Sequence, residues 1–356
     1  MFGNRIKSLR HKLNTAQNDA LLITNPENRR YMSGFTGSAG HLLISRDRAI
    51  LATDFRYIAH AQMQTPDFEI IHIEKAWNWL FETVSAMKVQ PVGFESTDMT
   101  VNSINQLVEL NKNQLSSKPI SFVPTQGVVE ALRSIKDPQE LEALQKAIDI
   151  SDKAMENIIP SIQPGQTEKE VAWKLEREMR ELGADSMSFD IIVATGPNGA
   201  MPHHRPTDQI LKSGQPLVID MGAKFGGYYS DISRTICVGE TDEQFQHIYN
   251  LVLGAQLTAI ATIQPEMTGE QGDSLARQVL DKAGYQGYFG HSLGHGIGLE
   301  VHEHPGLGPR SPNVLKEGMV FSVEPGIYLS GWGGVRIEDL VVLESGGTRP
   351  LSKASK

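Results

Sequence analysis

Five side chains in the last third of the chain have the composition of a ligand set for a pair of divalent metal ions. They are four carboxylates and one imidazole: Asp220 in V-I-D-M-G-A, Asp231 in Y-Y-S-D-I-S-R-T, His295 in G-H-G-I-G, Glu324 in S-V-E-P-G and Glu338 in V-R-I-E-D. Such a set suits hard ions such as Mn²⁺, and it also accepts Co²⁺ or Zn²⁺. Two ions held about 3.5–4 Å apart share a water, deprotonate it near neutral pH and stabilise a tetrahedral intermediate. The combination therefore predicts a two-metal hydrolase, although any one of these acids alone would more often be exposed or ion-paired.

A β-hairpin must bring Asp220 and Asp231 together, and the sequence predicts one over residues 215–239. Its turn falls near Phe225-Gly226-Gly227, where glycine permits positive φ. If the first two of these residues form the loop, the two aspartates face each other directly. If the last two form it, the aspartates are diagonal neighbours on one face. Either register lets both carboxylates reach one metal, whereas a slip of one residue would put them on opposite faces.

A second hairpin is predicted from residues 319–324 and 334–343, with glycines in or beside the connection. In the returning strand, Arg336 and Glu338 alternate with apolar residues and so share one face. An arginine beside an acid usually forms a structural ion pair. Buried next to a metal, Arg336 is better explained as a group that fixes the orientation of a ligand carboxylate.

His295 lies between Gly294 and Gly296, where the backbone can approach a crowded site closely. The string G-H-G-I-G does not predict a dinucleotide-binding loop, because that motif needs a strand before it, a helix after it and an acid ~20 residues later. The string Glu300-Val301-His302-Glu303-His304-Pro305 follows instead. The motif H-E-x-x-H is absent from the sequence, which argues against a zincin-type protease.

Residues 1–125 alternate between helix and strand patterns. Expected helices cover residues 5–17, 55–63, 77–87 and 101–110, and expected strands cover residues 20–24, 41–44, 49–53, 68–73 and 91–95. This alternation predicts an α/β domain with a mostly parallel or mixed sheet. Residues 111–127 are polar, contain Pro119 and Pro124, and predict a linker.

Two helices are predicted after the linker from their capping patterns. Asp137 with Glu140, and Thr167 with Glu170, have the spacing of capping boxes, and apolar residues follow each pair at helical intervals. From residue 189 onward, the pattern predicts strands joined by glycine-rich connections.

The composition is that of an ordinary globular protein, with 356 residues, 40% hydrophobic and 21% charged. The net charge is −9 and no basic stripe is present, which argues against nucleic acid as a partner. The one cysteine, Cys237, lies in an apolar run and fits a reducing compartment. No stretch approaches the ~20 apolar residues of a membrane span, and no signal peptide is visible. We therefore expect a cytoplasmic protein without a membrane partner.

The sequence strings around the five candidate ligands resemble those of the pita-bread metallopeptidase (M24) family. This family contains methionine aminopeptidase, Xaa-Pro aminopeptidase, Xaa-Pro dipeptidase (prolidase) and creatinase. The resemblance covers nearly the whole chain, since Tyr31-Met32-Ser33-Gly34-Phe35-Thr36-Gly37-Ser38 and Thr53-Asp54-Phe55-Arg56-Tyr57 look like the creatinase-type N-terminal domain. It implies an α/β (α+β) protein. A creatinase-like, ribonuclease H-like α/β domain would cover residues 1–125, and a pita-bread catalytic domain would cover residues 126–356.

The resemblance also implies a role for each ligand. Asp220 would chelate one ion, Asp231 and Glu338 would bridge both, and His295 and Glu324 would hold the second. A hydroxide between the ions would attack the carbonyl of the bond before proline. Glu324 is also the family's candidate proton shuttle.

Further residues match family positions that contact the substrate. His203 follows A-M-P, His291 lies in G-H-S-L-G-H and His302 lies in E-V-H-E. The resemblance implies that these three histidines bind the substrate and stabilise the oxyanion. Arg336 matches the family arginine that fixes the orientation of a ligand carboxylate. His204 and His304 match no family position and are predicted to be bystanders.

The N-terminal strings look somewhat more like Xaa-Pro aminopeptidase, which removes the residue before proline from longer peptides. The alternative is Xaa-Pro dipeptidase, which cleaves only dipeptides, and pocket shape decides between them. Methionine aminopeptidase usually lacks the N-terminal domain, and creatinase works without metal. A non-catalytic module that binds partners through this fold is an alternative of a different class, but the five intact ligands argue against it. By analogy with relatives, we expect a homodimer that takes a proline-containing peptide.

Overall fold

Short apolar runs in the first third of the chain form a mixed β-sheet in the computed structural model, which describes residues 2–75, 77–113 and 119–356. Its strands are β1 (Ala20–Ile23), β2 (His41–Ser45), β3 (Ala49–Thr53), β4 (Glu69–His72), β5 (Val92–Glu95) and β6 (Phe122–Thr125). They lie in the order β4-β3-β2-β1-β5-β6. The β1-β2 and β2-β3 pairs are antiparallel and the other neighbouring pairs are parallel. The predicted α/β domain with a mixed sheet is confirmed.

The linker prediction was wrong where β6 forms, because Pro124 lies in an edge strand, where a missing N–H is tolerated. Residues 114–118 of that predicted linker lie outside the described residues. The chain forms two compact units, Met1–Arg133 and Ser134–Lys356. The boundary between residues 125 and 126 stays a prediction.

The first unit also contains helices, one before β1 and the others after individual strands. They are α1 (Phe2–Thr15), α2 (Pro26–Ser33), α3 (Ile58–Gln64), α4 (Asn78–Met87), α5 (Val101–Asn113) and α6 (Glu130–Arg133). The four predicted helices are confirmed with shifted ends, whereas α2 and α6 were missed. The signals for α2 were nevertheless present. The Asn25 side chain accepts from the N–H of Asn28, proline occupies the first turn, and Gly34 ends the helix with a φ of 79°.

Glu95, at the end of β5, is a buried carboxylate that holds the start of α2 in place. Its Oε2 accepts hydrogen bonds from the backbone N–H groups of Thr24 and Asn25 at 2.7 and 2.8 Å. Its Oε1 accepts from the Asn28 side chain at 2.7 Å. Burial raises the pKa of Glu95 to about 7, because the loss of water outweighs these hydrogen bonds. The folded protein therefore binds a proton at a pH where the unfolded chain, with a pKa near 4.5, has released it.

This shift predicts that Glu95 makes the protein less stable as the pH rises from about 4.5 to about 7. Above pH 7 its contribution is constant. We expect urea denaturation of Glu95→Gln to show a flatter pH profile than the wild type, with a difference of up to about 3 kcal/mol across this window. Parallel profiles for the two proteins would show that Glu95 does not titrate in the native state.

The strands of the second unit form four β-sheets. In chain order they are β7 (Ser186–Met187), β8 (Ile192–Thr195), β9 (Gln215–Met221), β10 (Ala223–Phe225), β11 (Tyr228–Tyr229), β12 (Ile232–Val238), β13 (Gly294–Gly296), β14 (Glu303–Leu307), β15 (Val320–Val323), β16 (Gly326–Leu329), β17 (Gly333–Arg336), β18 (Asp339–Glu344) and β19 (Gly347–Pro350). Their orders are β11-β10-β7, β12-β9-β8, β14-β13-β15-β18-β19 and β16-β17. All neighbouring strands in these four sheets pair antiparallel.

The helices of this unit are α7 (Pro138–Ile158), α8 (Glu168–Glu181), α9 (Glu243–Thr262) and α10 (Gly269–Lys282). The predicted capping boxes at the starts of α7 and α8 are confirmed. The predicted strands after residue 189 are present, but the prediction did not include α9 and α10, which also lie there. Asp242 caps α9, and Thr268 with Gln271 forms a capping box on α10, so the same signal was available.

Apolar helix faces cover the strands that carry the site. Val171, Leu175 and Met179 of α8 are fully buried in one cluster with Leu217 and Ile219 of β9. Each such side chain contributes about 1.5–3 kcal/mol when it is buried. The helix thereby fixes the back of the strand that leads to Asp220. Among the described residues, no helix combines the length and the hydropathy that crossing a bilayer would need.

The first predicted hairpin forms with the second of the two predicted registers. Phe225 pairs with Tyr228, so Gly226 and Gly227 make the two-residue loop, with φ of 57° and 89°. Asp220 pairs with Ser233 on β12. Asp231, two residues before Ser233, is therefore the diagonal neighbour of Asp220, as that register requires.

Candidate metal centre

The side chains of Asp231, His295 and Glu338 converge on one point. One ligand atom from each lies within 4.8 Å of those of the other two. His295 Nε2 lies 3.7 Å from Asp231 Oδ2 and 3.4 Å from Glu324 Oε1. The structure thus brings an imidazole and three carboxylates from four different segments to one place.

The second predicted hairpin positions Glu324 and Glu338 where its two strands break. Val323 pairs with Asp339 on one side of the break, and Gly326 pairs with Arg336 on the other. At the break, the N–H of Glu338 donates to the carbonyl oxygen of Ser233 at 3.0 Å instead of to its own hairpin. The interruption therefore joins the second hairpin to the first.

Asp220 is connected to this group through Arg336 and Ser233. Arg336 Nη2 donates to Asp220 Oδ2 at 2.7 Å, and its Nε donates to Ser233 Oγ at 2.8 Å. Ser233 Oγ in turn donates to Glu338 Oε2 at 2.9 Å. The buried guanidinium fixes one oxygen of Asp220, which is the arrangement expected for a group that orients a ligand carboxylate.

Three carboxylate oxygens of this cluster are left without a partner. Asp220 Oδ1, Asp231 Oδ1 and Glu338 Oε1 are buried and accept no hydrogen bond. Buried polar atoms are almost always hydrogen-bonded, and an unpaired buried charge is costly. Divalent cations would satisfy all three oxygens, so the donor set fits a metal pair on the grounds of this structure alone.

The electrostatics of the cluster also favour a bound cation. Burial, and then repulsion from Glu338, Asp220 and Glu324, raises the pKa of Asp231 well above its ordinary value. The pKa of Glu338 is raised in the same way, first by burial and then by its acidic neighbours. Burial also raises the pKa of Glu324, to about 7. Positive charge among these groups would remove the repulsion and keep all of them ionised.

His295 presents a neutral ring to the carboxylates. Its Nδ1 lies 3.1 Å from the carbonyl oxygen of Gly296 and donates to it, so Nε2 carries the free lone pair. Burial lowers the pKa of His295. The flanking glycines permit this position, because a Cβ at Gly294 would lie 1.9 Å from the carbonyl oxygen of Ser322, and one at Gly296 would lie 2.1 Å from that of His304.

The cluster lies in a cavity of about 590 Å³, within the usual range for small-molecule sites. All nine predicted site residues line it, and so do Pro202, Arg205 and other residues of the second unit. His203 and His302 are exposed in it, and the rings of His295 and His302 lie 4.2 Å apart. The side chain of Arg205 is 68% exposed and pairs with Asp190, another lining residue.

His291 contacts Tyr328, a residue that the sequence analysis did not single out. Its Nδ1 lies 2.8 Å from the carbonyl oxygen of Ser292 and its Nε2 lies 2.8 Å from Tyr328 Oη. Arg336 Nη1 donates to the same hydroxyl at 3.0 Å. Burial lowers the pKa of His291 to about 4. Both ring nitrogens are thus engaged, and a direct contact between His291 and substrate stays a prediction.

The whole chain is similar to proteins of known class. "Metallopeptidase family M24" describes the family that matches residues 142–345, and "Creatinase/Prolidase N-terminal domain" describes the one that matches residues 5–135. An Xaa-Pro dipeptidase of Pyrococcus furiosus is 37% identical over 341 residues, which cover 95% of this chain and 94% of the relative.

Solved structures show the same similarity. An Xaa-Pro dipeptidase from Bacillus anthracis, 43% identical, superimposes with a TM-score of 0.95 over 100% of this chain and 99% of that one. An X-Pro aminopeptidase from Thermotoga maritima, 37% identical, superimposes with a TM-score of 0.88 over 98% of each chain.

Proposed function

The chain belongs to metallopeptidase family M24 and is a metal-dependent hydrolase, and from that premise we propose that it is an Xaa-Pro dipeptidase. It would hydrolyse the bond between an N-terminal residue and a C-terminal proline. The main evidence for hydrolytic activity is that His295 converges with buried carboxylates, some of whose oxygens have no hydrogen-bond partner. The substrate class is supported by relatives of 37% and 43% identity, both named Xaa-Pro dipeptidase, over nearly the whole chain.

The leading prediction from sequence, an Xaa-Pro aminopeptidase, becomes the second candidate. The structure from Thermotoga maritima favours it, at 37% identity. Arg205 favours the dipeptidase instead, because its exposed guanidinium pairs with Asp190 through Nη1 and has further N–H groups that could bind the free carboxylate beside a dipeptide's scissile bond. Arginine binds carboxylates with two parallel hydrogen bonds, so a cation there suits the shorter substrate.

We assign the five ligands as the resemblance implied. Asp220 would hold one ion, Asp231 and Glu338 would bridge both, and His295 and Glu324 would hold the other. When bound, the pair supplies Lewis acidity and lowers the pKa of the attacking water. Mn²⁺ is our first choice because four of the five ligands are carboxylates. A homodimer and a cytoplasmic location also remain proposals.

The protein's own groups orient the reaction around that centre. Arg336 holds Asp220 in one orientation through Oδ2, and Ser322 Oγ donates to Glu324 Oε1 at 3.0 Å. Glu324 would carry a proton from the attacking water to the leaving proline nitrogen. His203 and His302, exposed in the cavity, would donate to the carbonyl oxygen as negative charge develops on it.

The test is the ratio of kcat/KM for Gly-Pro to that for Gly-Pro-Gly-Gly, with Mn²⁺-loaded protein. We expect the dipeptide to be preferred by ~100-fold or more, because a site that reads a free carboxylate rejects a peptide bond in its place. A preference for the longer peptide would establish the aminopeptidase instead. Absence of turnover on both, at full metal occupancy, would contradict either assignment and favour a binding module.

A further inference from the structure

We propose that Glu168 and His204 form a buried junction that positions His203 and Arg205 in the cavity. Glu168 and His204 would act as positioning residues for substrate binding. The inference rests on the proposed function, because it assumes that the cavity binds a peptide. His204, predicted to be a bystander, has a side chain that is only 8% exposed.

The carboxylate of Glu168 is the centre of this junction. Glu168 is the first residue of α8 and is 0% exposed. Its Oε1 accepts from the N–H of Thr195 and from Asn198 Nδ2, both at 2.9 Å. Its Oε2 accepts from His204 Nε2 at 2.9 Å, and from the N–H and hydroxyl of Thr207 at 2.9 and 2.7 Å. Burial opposes ionisation, but these hydrogen bonds outweigh it and lower the pKa of Glu168.

The donors come from three successive parts of one segment of chain. Thr195 ends β8, Asn198 lies in a 3₁₀ turn (Gly196–Ala200), and His204 and Thr207 belong to the stretch that follows. Backbone bonds add to this attachment, since the N–H of Lys169 donates to the carbonyl oxygen of Thr207. One carboxylate therefore fixes the chain on both sides of residues 201–203.

Successive side chains in this stretch take opposite sides. His203 and Arg205 line the cavity, whereas His204 between them bonds to Glu168. The carbonyl oxygen of Pro202 accepts from Arg336 Nη1 at 3.4 Å, so this stretch also touches the group that orients Asp220. Because adjacent side chains move with one backbone, the bond made by His204 limits where His203 and Arg205 can be.

The junction is separate from the predicted metal ligands. None of those five residues bonds to Glu168, and they lie on the two hairpins and β13. Loss of the junction should therefore loosen the substrate-facing stretch and leave the metal in place. A displacement of about 1 Å in a substrate-positioning group is enough to lower turnover by up to ~100-fold.

The test compares His204→Leu with His204→Gln in Mn²⁺-loaded protein. We expect His204→Leu to lower kcat/KM on Gly-Pro by about 10–100-fold, through a lower kcat as His203 is displaced and a higher KM as Arg205 is displaced, with unchanged metal content. Amide hydrogen exchange in residues 203–207 should accelerate. His204→Gln, whose side-chain nitrogen can still donate to Glu168, should recover most of both losses. His247→Leu, which changes an exposed histidine on α9, is the matched control and should match the wild type.

Unchanged kinetics and unchanged exchange in His204→Leu would overturn the proposal, and so would activity that disappears only in step with bound metal. If His204→Leu fails to fold, Thr207→Val removes one donor to the same oxygen and gives the same two readouts with a smaller effect. If the wild type cleaves no Xaa-Pro peptide, the proposed function fails. Even then, exchange in residues 203–207 decides whether the junction holds this stretch.

Discussion

A Glu338→Ala variant is expected to lose its bound metal and its hydrolytic activity together. Glu338 is 1% exposed, lies within 4.8 Å of ligand atoms of Asp231 and His295, and would bridge both ions. Loss of an oxygen that would bridge both ions would weaken two sites at once, so we expect kcat/KM on Gly-Pro to fall by more than ~1,000-fold. Metal content after dialysis, measured by mass spectrometry, should fall with it. Asp231→Ala should behave in the same way.

The same variant makes an opposite prediction for the metal-free protein. Burial, and then repulsion from Glu324 and Asp220, raises the pKa of Glu338, so its removal relieves both unfavourable effects when no cation is present. The metal-free variant should therefore melt at or above the temperature of the metal-free wild type. Glu344→Ala, at the exposed end of β18, the strand that follows Glu338, is the control and should keep metal and activity. Retention of full metal content and turnover by Glu338→Ala would refute the ligand assignment.

Lys136→Met is expected to give a large loss of stability. Lys136 Nζ lies 2.7 Å from Glu303 Oε1, with side-chain exposures of 0% and 4%. Removing one partner leaves the other charge buried, which costs about 3–5 kcal/mol. The effect should appear in urea denaturation as a lower free energy of unfolding, and it should reach the active site because Glu303 follows His302 directly.

Two further variants identify the cause of that loss. The double variant Lys136→Met/Glu303→Leu should recover much of the stability, because neither buried charge remains. Lys353→Met removes an exposed lysine that pairs with Asp149, and it should cost less than about 1 kcal/mol. A cost below about 1 kcal/mol for Lys136→Met as well would mean that the buried pair contributes nothing specific.

Local signals predicted much of the fold, because capping and apolar periodicity are encoded in neighbouring residues. The creatinase-like N-terminal domain, the pita-bread catalytic domain and the M24 family are all confirmed. The sequence predicted the capping boxes of α7 and α8. It did not predict the equivalent box at Thr268, which has glycines beside it. Pro124 suggested a linker because nothing local reveals that its strand is an edge strand.

The site shows where sequence reasoning ends. The structure brings the five predicted ligands to one cavity, and their role in holding metal stays a prediction. The sequence analysis left two hairpin registers open, although a two-residue turn needs positive φ at its first position, which Gly226 accepts and Phe225 does not. The break between Arg336 and Asp339 was not predicted, because a bond from the first hairpin replaces the regular ladder. The prediction that His204 is a bystander did not anticipate its bond to Glu168, whose carboxylate is supplied 36 residues earlier in the chain. Contacts over such separations leave no periodic trace.

All five predicted ligands, and every residue that lines their cavity, fall within the compact unit Ser134–Lys356. The residues predicted to perform the chemistry and the residues of the first unit are therefore encoded by two separate parts of the gene. Mutations in Met1–Arg133 can accumulate, recombine or be exchanged between relatives without altering any group that would hold an ion. One constant reactive centre is thus compatible with a first unit of varying sequence.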